Sequence, residues 1–427
     1  GVNIANYDSA FAPGCNTSTV AGMTFSGTNV KPDCVIASIQ NPLNVSGKVD
    51  FIAPSFTWPV SKILNITYTR TLPQDIDLTV TYLNSEEEEA LYKIIDTGYP
   101  LNGDQPTVPT EKAPDGRPIY GQTGSNSYRA GLYNECCGER SVISASLSKS
   151  FRDGDTRVFM SYTGQDAQDR NAMTSSTSNS NFGKVGAADY NNRNLGRSTY
   201  ETEHRFLATL STKHYFFGPN KPTQFNLVFT RESGGPKYPT FDTYTNRASD
   251  YKARAFGYDF SLNDDSSALL YIPTMGDALV CYSYKCGAEG TDEANARELE
   301  IINLLHNVFG LKDYAGQISP RDAGSFPWQS SLDLNIIQKL PGLRDNDEFV
   351  ITFALENVLN FIDEDEGIVN YGYYSGRIPV IDLKIVDGKY DYSRYAFRYD
   401  ATGNPFNISR STTQSLWRAS LGFQYKF

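Results

Sequence analysis

The amino-acid sequence predicts an all-β protein, an antiparallel transmembrane β-barrel with long extracellular loops, and three observations lead to this fold class. Segments that alternate apolar and polar side chains recur along the chain, as expected for half-exposed strands. Short turns and long connections alternate between these segments. The chain ends on an aromatic residue, at the end of a strand with a wide aromatic stripe. For this last strand, a soluble sandwich or barrel is the alternative.

Composition is compatible with a membrane barrel. The chain has 427 residues and is 39% hydrophobic, and it shows no apolar run near the roughly 18 residues that a spanning helix needs. The mean hydropathy is −0.43, but barrel strands hide their lipid-facing residues in alternation. Aromatic residues make up 13% of the chain and suit interfacial girdles. The net charge of −11, without a basic stripe, argues against nucleic acid as a partner.

Nine segments show the period-two alternation of strands. In residues 76–84, for example, Ile76 and Leu78 share one face while Asp77 and Thr79 share the other. The nine segments are residues 60–70, 76–84, 141–151, 156–164, 204–216, 223–231, 329–340, 349–357 and 415–427. In the last segment, the residues expected to face lipid and to form the signal for the barrel-assembly machinery are Trp417, Phe423, Tyr425 and Phe427.

The connections between these segments alternate strictly in length. The short, turn-like ones are residues 72–75, 152–155, 217–222 and 341–348. The long ones are residues 85–140, 165–203, 232–328 and 358–414. Outer-membrane barrels place short turns in the periplasm and long loops outside, so residues 1–59 are expected to be an extracellular loop region and residues 60–427 the barrel. Because bacterial barrels normally have an even number of strands, nine strands indicate at least one further strand upstream of this sequence.

The longest connection contains a helix signal. Thr291 can cap a helix, and Leu299, Ile302, Leu305 and Val308 recur at helical spacing before a glycine at position 310. The pattern predicts a short amphipathic helix that packs over or into the mouth of the barrel.

The six cysteines predict local disulfides in loops. They occur as three pairs that are close in sequence: Cys15 with Cys34, Cys136 with Cys137, and Cys281 with Cys286. The paired Cys-x-x-Cys spacing of zinc sites is absent, so no metal site is predicted. Disulfides indicate an oxidising compartment, whereas free cysteines in a cytosolic enzyme are the alternative.

No catalytic constellation is found in the sequence. His204 and His214 lie ten residues apart on one predicted strand, about 33 Å at the usual rise, so they cannot share a metal ion. His306 falls in the predicted helix without a second ligand at suitable spacing, and no segment resembles a nucleophile elbow. We therefore predict no enzymatic activity and no cofactor.

Two tyrosine-rich stretches of the last long connection are candidates for ligand binding. Tyrosine offers apolar area together with a hydroxyl group, which suits recognition loops. The same residues could equally pack one loop against another. The candidate residues are Tyr371, Tyr373, Tyr374, Tyr392, Arg394 and Tyr395.

The order of several motifs resembles the C-terminal half of TonB-dependent outer-membrane receptors, in particular their Oar-like branch. The matching segments are FIAPSFTWPVSKILNITYTRTLP (51–73), DGRPIYG (115–121), LLYIP (269–273), WQSSLDLNIIQKLP (328–341) and FALENVLN (353–360). The last is similar to the Asn-Leu-Phe-Asp-type box at the outer end of the penultimate strand. Asn357 and Asn360 hold the box positions, and Leu359 stands where an aromatic residue is usual. The family does not require the cysteines.

The resemblance implies a 22-stranded barrel, of which this chain would supply about the last nine strands. It also implies a plug domain and a TonB box, neither of which is in this sequence. The expected function is transport of an unidentified ligand across the bacterial outer membrane into the periplasm. The alternative is a surface adhesion or secretion protein that uses the same barrel to present loops. A third class, a soluble all-β carbohydrate-binding protein, would need no detergent.

The expected partners follow from this reading of the chain. They are outer-membrane lipid and lipopolysaccharide, the barrel-assembly machinery, and the TonB complex through the N-terminal part that is not in this sequence. The extracellular ligand could be a peptide, an oligosaccharide or a metal chelate. The acidic balance disfavours a strongly anionic ligand.

Overall fold

The computed structural model describes residues 48–95, 111–119, 128–171, 173, 175–183, 185–242, 267–344, 347–371, 376–393 and 409–427. These residues form a mostly β structure that is built on one large sheet. None of the helices in these residues has both the length and the apolar character needed to cross a membrane.

All nine predicted strands are present and pair in chain order as an antiparallel meander. They are β1 (Ser61–Leu72), β2 (Ile76–Ile95), β3 (Tyr128–Phe151), β4 (Thr156–Asp169), β5 (His204–His214), β6 (Thr223–Glu232), β7 (Gln329–Pro341), β8 (Glu348–Glu356) and β9 (Arg418–Lys426). Two short strands complete the 11-stranded sheet. Lys48–Ile52 pairs in parallel with β3, and Gly196–Arg197 pairs with β4.

The alternation of connection lengths defines two ends of the sheet. The short turns lie at the turn end, where Gln74, Asp75 and Asp153 adopt positive φ angles and Gly154 has a φ of 93°. Such left-handed conformations reverse the chain within a few residues. The long connections leave from the opposite end, the loop end.

The first long connection is shorter than predicted. β2 continues to Ile95 and β3 begins at Tyr128, so the expected loop 85–140 was wrong at both ends. The acidic run that begins at Glu86 therefore lies inside the ladder. The alternation of apolar and polar residues stops at this run. Lysines on neighbouring strands balance the negative charge, since Lys62 lies 3.5 Å from Glu86 and Lys93 pairs with Glu135.

Most apolar residues of the nine strands fall on one face of the sheet. Strand register keeps them in phase: Leu227 on β6, for example, pairs with Leu210 on one side and Leu334 on the other. Many of these side chains are exposed, including Ile66 (56%), Ile143 (53%) and Phe423 (64%). We call this surface the apolar face. It includes Leu64, Ile66, Tyr68, Leu78, Val80, Ile143, Leu147, Val158, Met160, Phe206, Leu210, Leu227, Phe229, Leu332, Leu334, Phe353, Leu421 and Phe423.

The opposite face carries mainly small polar side chains that bond across strands. Thr67 and Thr81 approach within 3.2 Å through their hydroxyl oxygens. The Ser211 hydroxyl donates to Asn226 Oδ1 at 2.8 Å. Such cross-strand pairs satisfy polar groups without an apolar core.

The main buried core lies in the long connections and not on the sheet. Its members come from all four connections and include Ala113, Phe182, Ala187, Phe241, Leu270, Ile272, Ile301, Leu305, Val380, Ile381, Tyr390 and Tyr392. We call the folded part of these connections, namely the described residues within 111–119, 170–203, 233–328 and 357–393, the loop unit. Two parallel pairings, Tyr238–Asp242 with Arg377–Asp382 and Val280–Cys281 with Lys389–Asp391, join its two largest connections.

Short elements complete the loop unit and its surroundings. The strands are Glu111–Lys112, Pro118–Ile119, Tyr271–Ile272, Gln317–Ile318, Asn370–Tyr371, Ile385–Val386 and Ser409–Arg410, and the short helical turns are Tyr284–Cys286 and Lys312–Tyr314. A further helical turn, Arg152–Gly154, lies at the turn end of the sheet. The α-helices are α1 (Ser178–Gly183), α2 (Asp292–Asn303) and α3 (Val358–Ile362).

Helix α2 confirms the predicted helix but not all of its buried face. Thr291 is the cap and accepts a hydrogen bond from the Ala294 amide at 3.3 Å. Ile302 and Leu305 are buried as predicted, whereas Leu299 and Val308 are exposed. For Val308 the reason is the π-helical turn Leu304–Val308, which widens the helix and changes the face that its last residues present.

Two of the three predicted disulfides lie in described residues, and both are formed. They join Cys136 to Cys137 and Cys281 to Cys286, while residues 15 and 34 lie outside the described residues. The expectation that the disulfides lie in loops was wrong for the first pair. Cys136 and Cys137 lie within β3, at a register shift opposite residues 87–89 of β2.

Candidate functional site

The asparagine box organises the loop end of β8. Asn357 adopts a left-handed conformation (φ 53°), which asparagine tolerates better than most residues. Its side-chain amide donates to the carbonyl oxygens of Gly367 and Ser415 at 2.8 and 2.9 Å. Asn360 donates to the carbonyls of Glu364 and Glu366 at 3.0 and 3.1 Å. The box therefore fastens the end of β8 to the segment that leads into β9.

The candidate ligand-binding tyrosines divide into two groups. Tyr371 lies in the strand Asn370–Tyr371, which pairs with Ser409–Arg410, while Tyr373, Tyr374, Arg394 and Tyr395 lie outside the described residues. Tyr392 is fully buried, and its hydroxyl donates to the Tyr271 carbonyl at 2.6 Å. This burial favours the loop-packing alternative for Tyr392.

Tyr392 belongs to a cluster of buried rings at the centre of the loop unit. It makes an edge-to-face contact with Tyr282 at 6.4 Å between centroids and a tilted contact with Tyr390 at 6.3 Å. Burial raises the pKa of each of these three phenols, because a phenolate would lose its hydration there. The cluster thus holds the connections together through neutral rings.

A cavity of about 720 Å³ opens at the loop end of β4 and β5. Its walls are the loop end of these strands, the connection between them, and residues 318–322 of the longest connection. The polar lining residues are Gln165, Asp166, Gln168, Asp189, Asn194, Arg197, Glu201, Glu203, His204, Ser319, Arg321 and Asp322. Sequence patterns did not indicate this site, because its residues come from three separate segments.

Two buried arginines hold the walls of the cavity. Arg197 pairs with Glu201, lies 3.1 Å from Glu203, and donates to the Ser325 hydroxyl at 2.7 Å. Arg321 lies 3.2 Å from a carboxylate oxygen of Asp169. Charge-assisted bonds of this kind fix both side chains, so the arginines position the walls.

Carboxylates give the cavity its charge. The Ala167 amide donates to Glu201 at 2.6 Å, and burial raises the pKa of this glutamate. Asp166 and Asp322 are exposed at the rim, and Glu203 is half-buried. The site can bind a polar ligand through carboxylates and amides.

Aromatic side chains mark both ends of the apolar face. At the loop end the His204 ring stacks on Trp328, with centroids 5.8 Å apart and planes at 6°. At the turn end His214 stacks on Phe216 at 5.5 Å. His204 and His214 therefore lie at the two ends of one strand, as expected, and each contacts neighbouring aromatic rings.

The last strand presents its predicted aromatic stripe. Phe423 and Tyr425 pair with Ile351 and Phe349 of β8 and therefore lie on the apolar face. Trp417 and Phe427 flank β9, and Phe427 is 99% exposed. The alternation predicted for this strand is confirmed.

One cluster of possible metal ligands occurs among the described residues. It consists of Glu86, Cys136 and Cys137, whose ligand atoms lie within 4.8 Å of one another. Both sulfur atoms are joined in the disulfide and are not thiolates, so the cluster does not offer a metal site in this state.

No protein-family model matches the chain, and no curated protein matches it. The class of this protein is therefore defined by its fold and its candidate site alone. It is a mostly β protein with a large antiparallel meander, an exposed apolar face, and long connections that fold at one end of the sheet.

Proposed function

We propose that the chain is the C-terminal part of an outer-membrane β-barrel, a TonB-dependent transporter that imports an extracellular ligand. One observation carries this proposal: the apolar face is continuous over nine strands, and the main buried core lies elsewhere, in the loop unit. Exposing such a large apolar patch to water is unfavourable, whereas lipid would cover it.

The dimensions of the apolar face support a bilayer. The ring clusters around His204 and His214 are ten residues apart on β5, about 33 Å along the strand. With a strand tilt of roughly 40°, this corresponds to about 25 Å, the height of the apolar band in such barrels. The cationic side chains Lys149 and Arg231 lie on this face near opposite ends of the sheet, where they can reach the membrane interfaces.

Transport is supported by the polar face and by the cavity. The hydroxyl and amide side chains of the polar face would line a wet interior. The cavity beside Arg197 and Glu201 offers polar groups where a ligand would first arrive from outside. The resemblance to TonB-dependent receptors adds an energy source, which the residues by themselves do not indicate.

Surface adhesion is the second candidate. The loop unit has its own buried core and two parallel strand pairings. A preformed surface of this kind also suits a protein that presents its loops to a partner. The two functions share the barrel and differ in the need for a plug and a TonB box.

Fractionation and intact mass test the proposal. The protein should remain in outer membranes after alkaline extraction and dissolve only in detergent; recovery in the aqueous fraction would contradict a membrane barrel. A mass well above the 47.4 kDa of this chain, with N-terminal peptides from a plug and a TonB box, is the result expected for a transporter. A membrane protein without those peptides would favour adhesion.

A further inference from the structure

A compact group of rings and one cation lies at the loop end of the apolar face. The rings of Trp328 and Tyr162 both stack on His204, with centroids 5.8 and 6.1 Å from the imidazole. The Tyr162 ring also makes a tilted contact with Phe206 at 4.9 Å. The guanidinium carbon of Arg231 lies 5.5 Å from the centroid of Trp328. We call these five residues the aromatic platform.

Strand register fixes the platform on the apolar face. Phe206 pairs with Tyr162 on β4 and with Arg231 on β6, so the three side chains leave the sheet on the same side. The Tyr162 hydroxyl and His204 Nδ1 are 2.9 Å apart and form a hydrogen bond. This bond fixes the orientation of the imidazole ring between Tyr162 and Trp328. The platform is therefore a built surface and not a chance cluster of mobile side chains.

The charge of Arg231 is left available. The adjacent carboxylates have other partners: Glu232 lies 3.5 Å from Arg205, and Glu203 lies 3.4 Å from His204. Within the part of the chain that the structure describes, Arg231 forms no ion pair and contacts the face of Trp328. An exposed guanidinium fixed beside a ring is well suited to an oxyanion, because its planar donors match phosphate.

The position of the platform indicates where that phosphate comes from, and this step rests on the proposed function. The platform would lie at the outer boundary of the lipid band, at the level of lipid headgroups. We propose that it binds the phosphorylated saccharide headgroup of an outer-leaflet lipid. Arg231 would donate to a phosphate, and the exposed parts of the Trp328 and Phe206 rings would pack against the apolar face of a sugar.

The chain contains a matched control at the other end of the same face. Lys149 lies over the ring of Phe151, with its Nζ 4.8 Å from the centroid, and pairs with Val158 on the apolar face. This cation–ring pair is at the turn end, which would face the periplasmic leaflet. Lys149 contacts the ring of Phe151 and not a platform of four rings, so it should not contribute to binding of the phosphorylated saccharide lipid, in detergent as in the membrane.

Native mass spectrometry of the full-length protein in detergent tests the inference. The probes are lipid A, a phosphorylated disaccharide lipid, and lipid A from which both phosphates have been removed. We expect Arg231→Ala to weaken binding of lipid A about tenfold, the usual strength of one charge-assisted hydrogen bond. Arg231→Lys should weaken it less, and Lys149→Ala should leave it unchanged.

The outcomes separate this inference from the proposed function. If the protein is membrane-bound but Arg231→Ala binds lipid A as the wild type does, or if the dephosphorylated lipid binds equally well, the platform does not recognise the phosphate and the inference is wrong. If Lys149→Ala has the same effect as Arg231→Ala, the binding is unspecific and the inference also fails. Recovery of the wild type in the aqueous fraction would instead overturn the proposed function. Resistance to unfolding by detergent at room temperature checks that each variant is folded.

Discussion

Replacing Leu227 by arginine tests whether the apolar face lies in lipid. Leu227 is near the middle of β6, about four residues from either end, or about 13 Å along the strand and about 10 Å in depth at a tilt of roughly 40°. It therefore lies close to the midplane of a 25 Å band. Arginine at that depth costs about 2–4 kcal/mol in membrane barrels, which lowers the folding equilibrium constant about 30- to 700-fold.

The adjacent residue provides the control. Val228 lies on the opposite face, where it pairs with Thr209 and Asp333, and it is 37% exposed. Val228→Arg makes the same change in polarity at almost the same depth, but the new charge faces the polar side. We expect it to alter the free energy of unfolding by no more than about 0.5 kcal/mol, as for ordinary exposed substitutions.

The full-length protein is unfolded by guanidinium in thin-bilayer vesicles, and tryptophan fluorescence follows the transition. This experiment gives the free energy of unfolding of both variants. The reasoning is refuted if Leu227→Arg and Val228→Arg have the same small effect, since the apolar face would then be in water. It is also refuted if both variants lose 2–4 kcal/mol, since the two faces would then not differ.

Three further predictions concern the loop unit. Burial raises the pKa of five phenols, namely Tyr238, Tyr271, Tyr282, Tyr390 and Tyr392. They stay protonated in the folded state while unfolded tyrosine ionises near pH 10, so their contribution to stability should be complete below that pH and fall above it. Tyrosinate absorbance should show that these residues titrate only when the protein unfolds. Early titration of all of them would contradict this burial. Arg117→Ala leaves the buried carboxylate of Asp115 without its ion-pair partner and removes a 2.8 Å hydrogen bond to the Leu269 carbonyl. We expect the free energy of unfolding to fall by about 3–5 kcal/mol and trypsin to cleave the loop unit faster. An unchanged cleavage rate would refute this prediction. In thermal unfolding, Asn357→Gly should destabilise the protein by about 1 kcal/mol less than Asn357→Ala does, because glycine adopts the left-handed backbone of this position without strain and alanine does not. Equal losses of stability would show that the lost side-chain hydrogen bonds, and not the backbone conformation, decide the effect.

The sheet could be predicted from the sequence because its signal is local. The alternation of residues such as Phe225, Leu227 and Phe229 states which side chains share a face without reference to any other strand. Turn residues such as Asp153 mark where the chain reverses. These patterns gave all nine strands of the meander in their correct order.

The ends of strands and the interior of the loop unit were predicted less well. The segment around Glu86 loses its alternation, yet backbone hydrogen bonds and cross-strand lysines extend the ladder through it. In helix α2, the π turn moves Val308 to the surface although its spacing suggested burial. At Glu86, pairing with another strand decides the outcome, and a local pattern cannot contain that information. At Val308, a local departure from α-helical geometry breaks the spacing on which the prediction depended.

By itself, the sequence determined the mostly β character of the chain, the phase of the apolar face, the cap of helix α2 and the cysteine partners in the described residues, because each depends on neighbours within a few positions. Only the tertiary structure decided that Tyr392 packs inside the loop unit, and that Arg197 and Arg321 meet around one cavity. It also brought Trp328 beside His204 and Arg231. These contacts join residues that are far apart in the chain, and they form only when the long connections fold together over the end of the sheet.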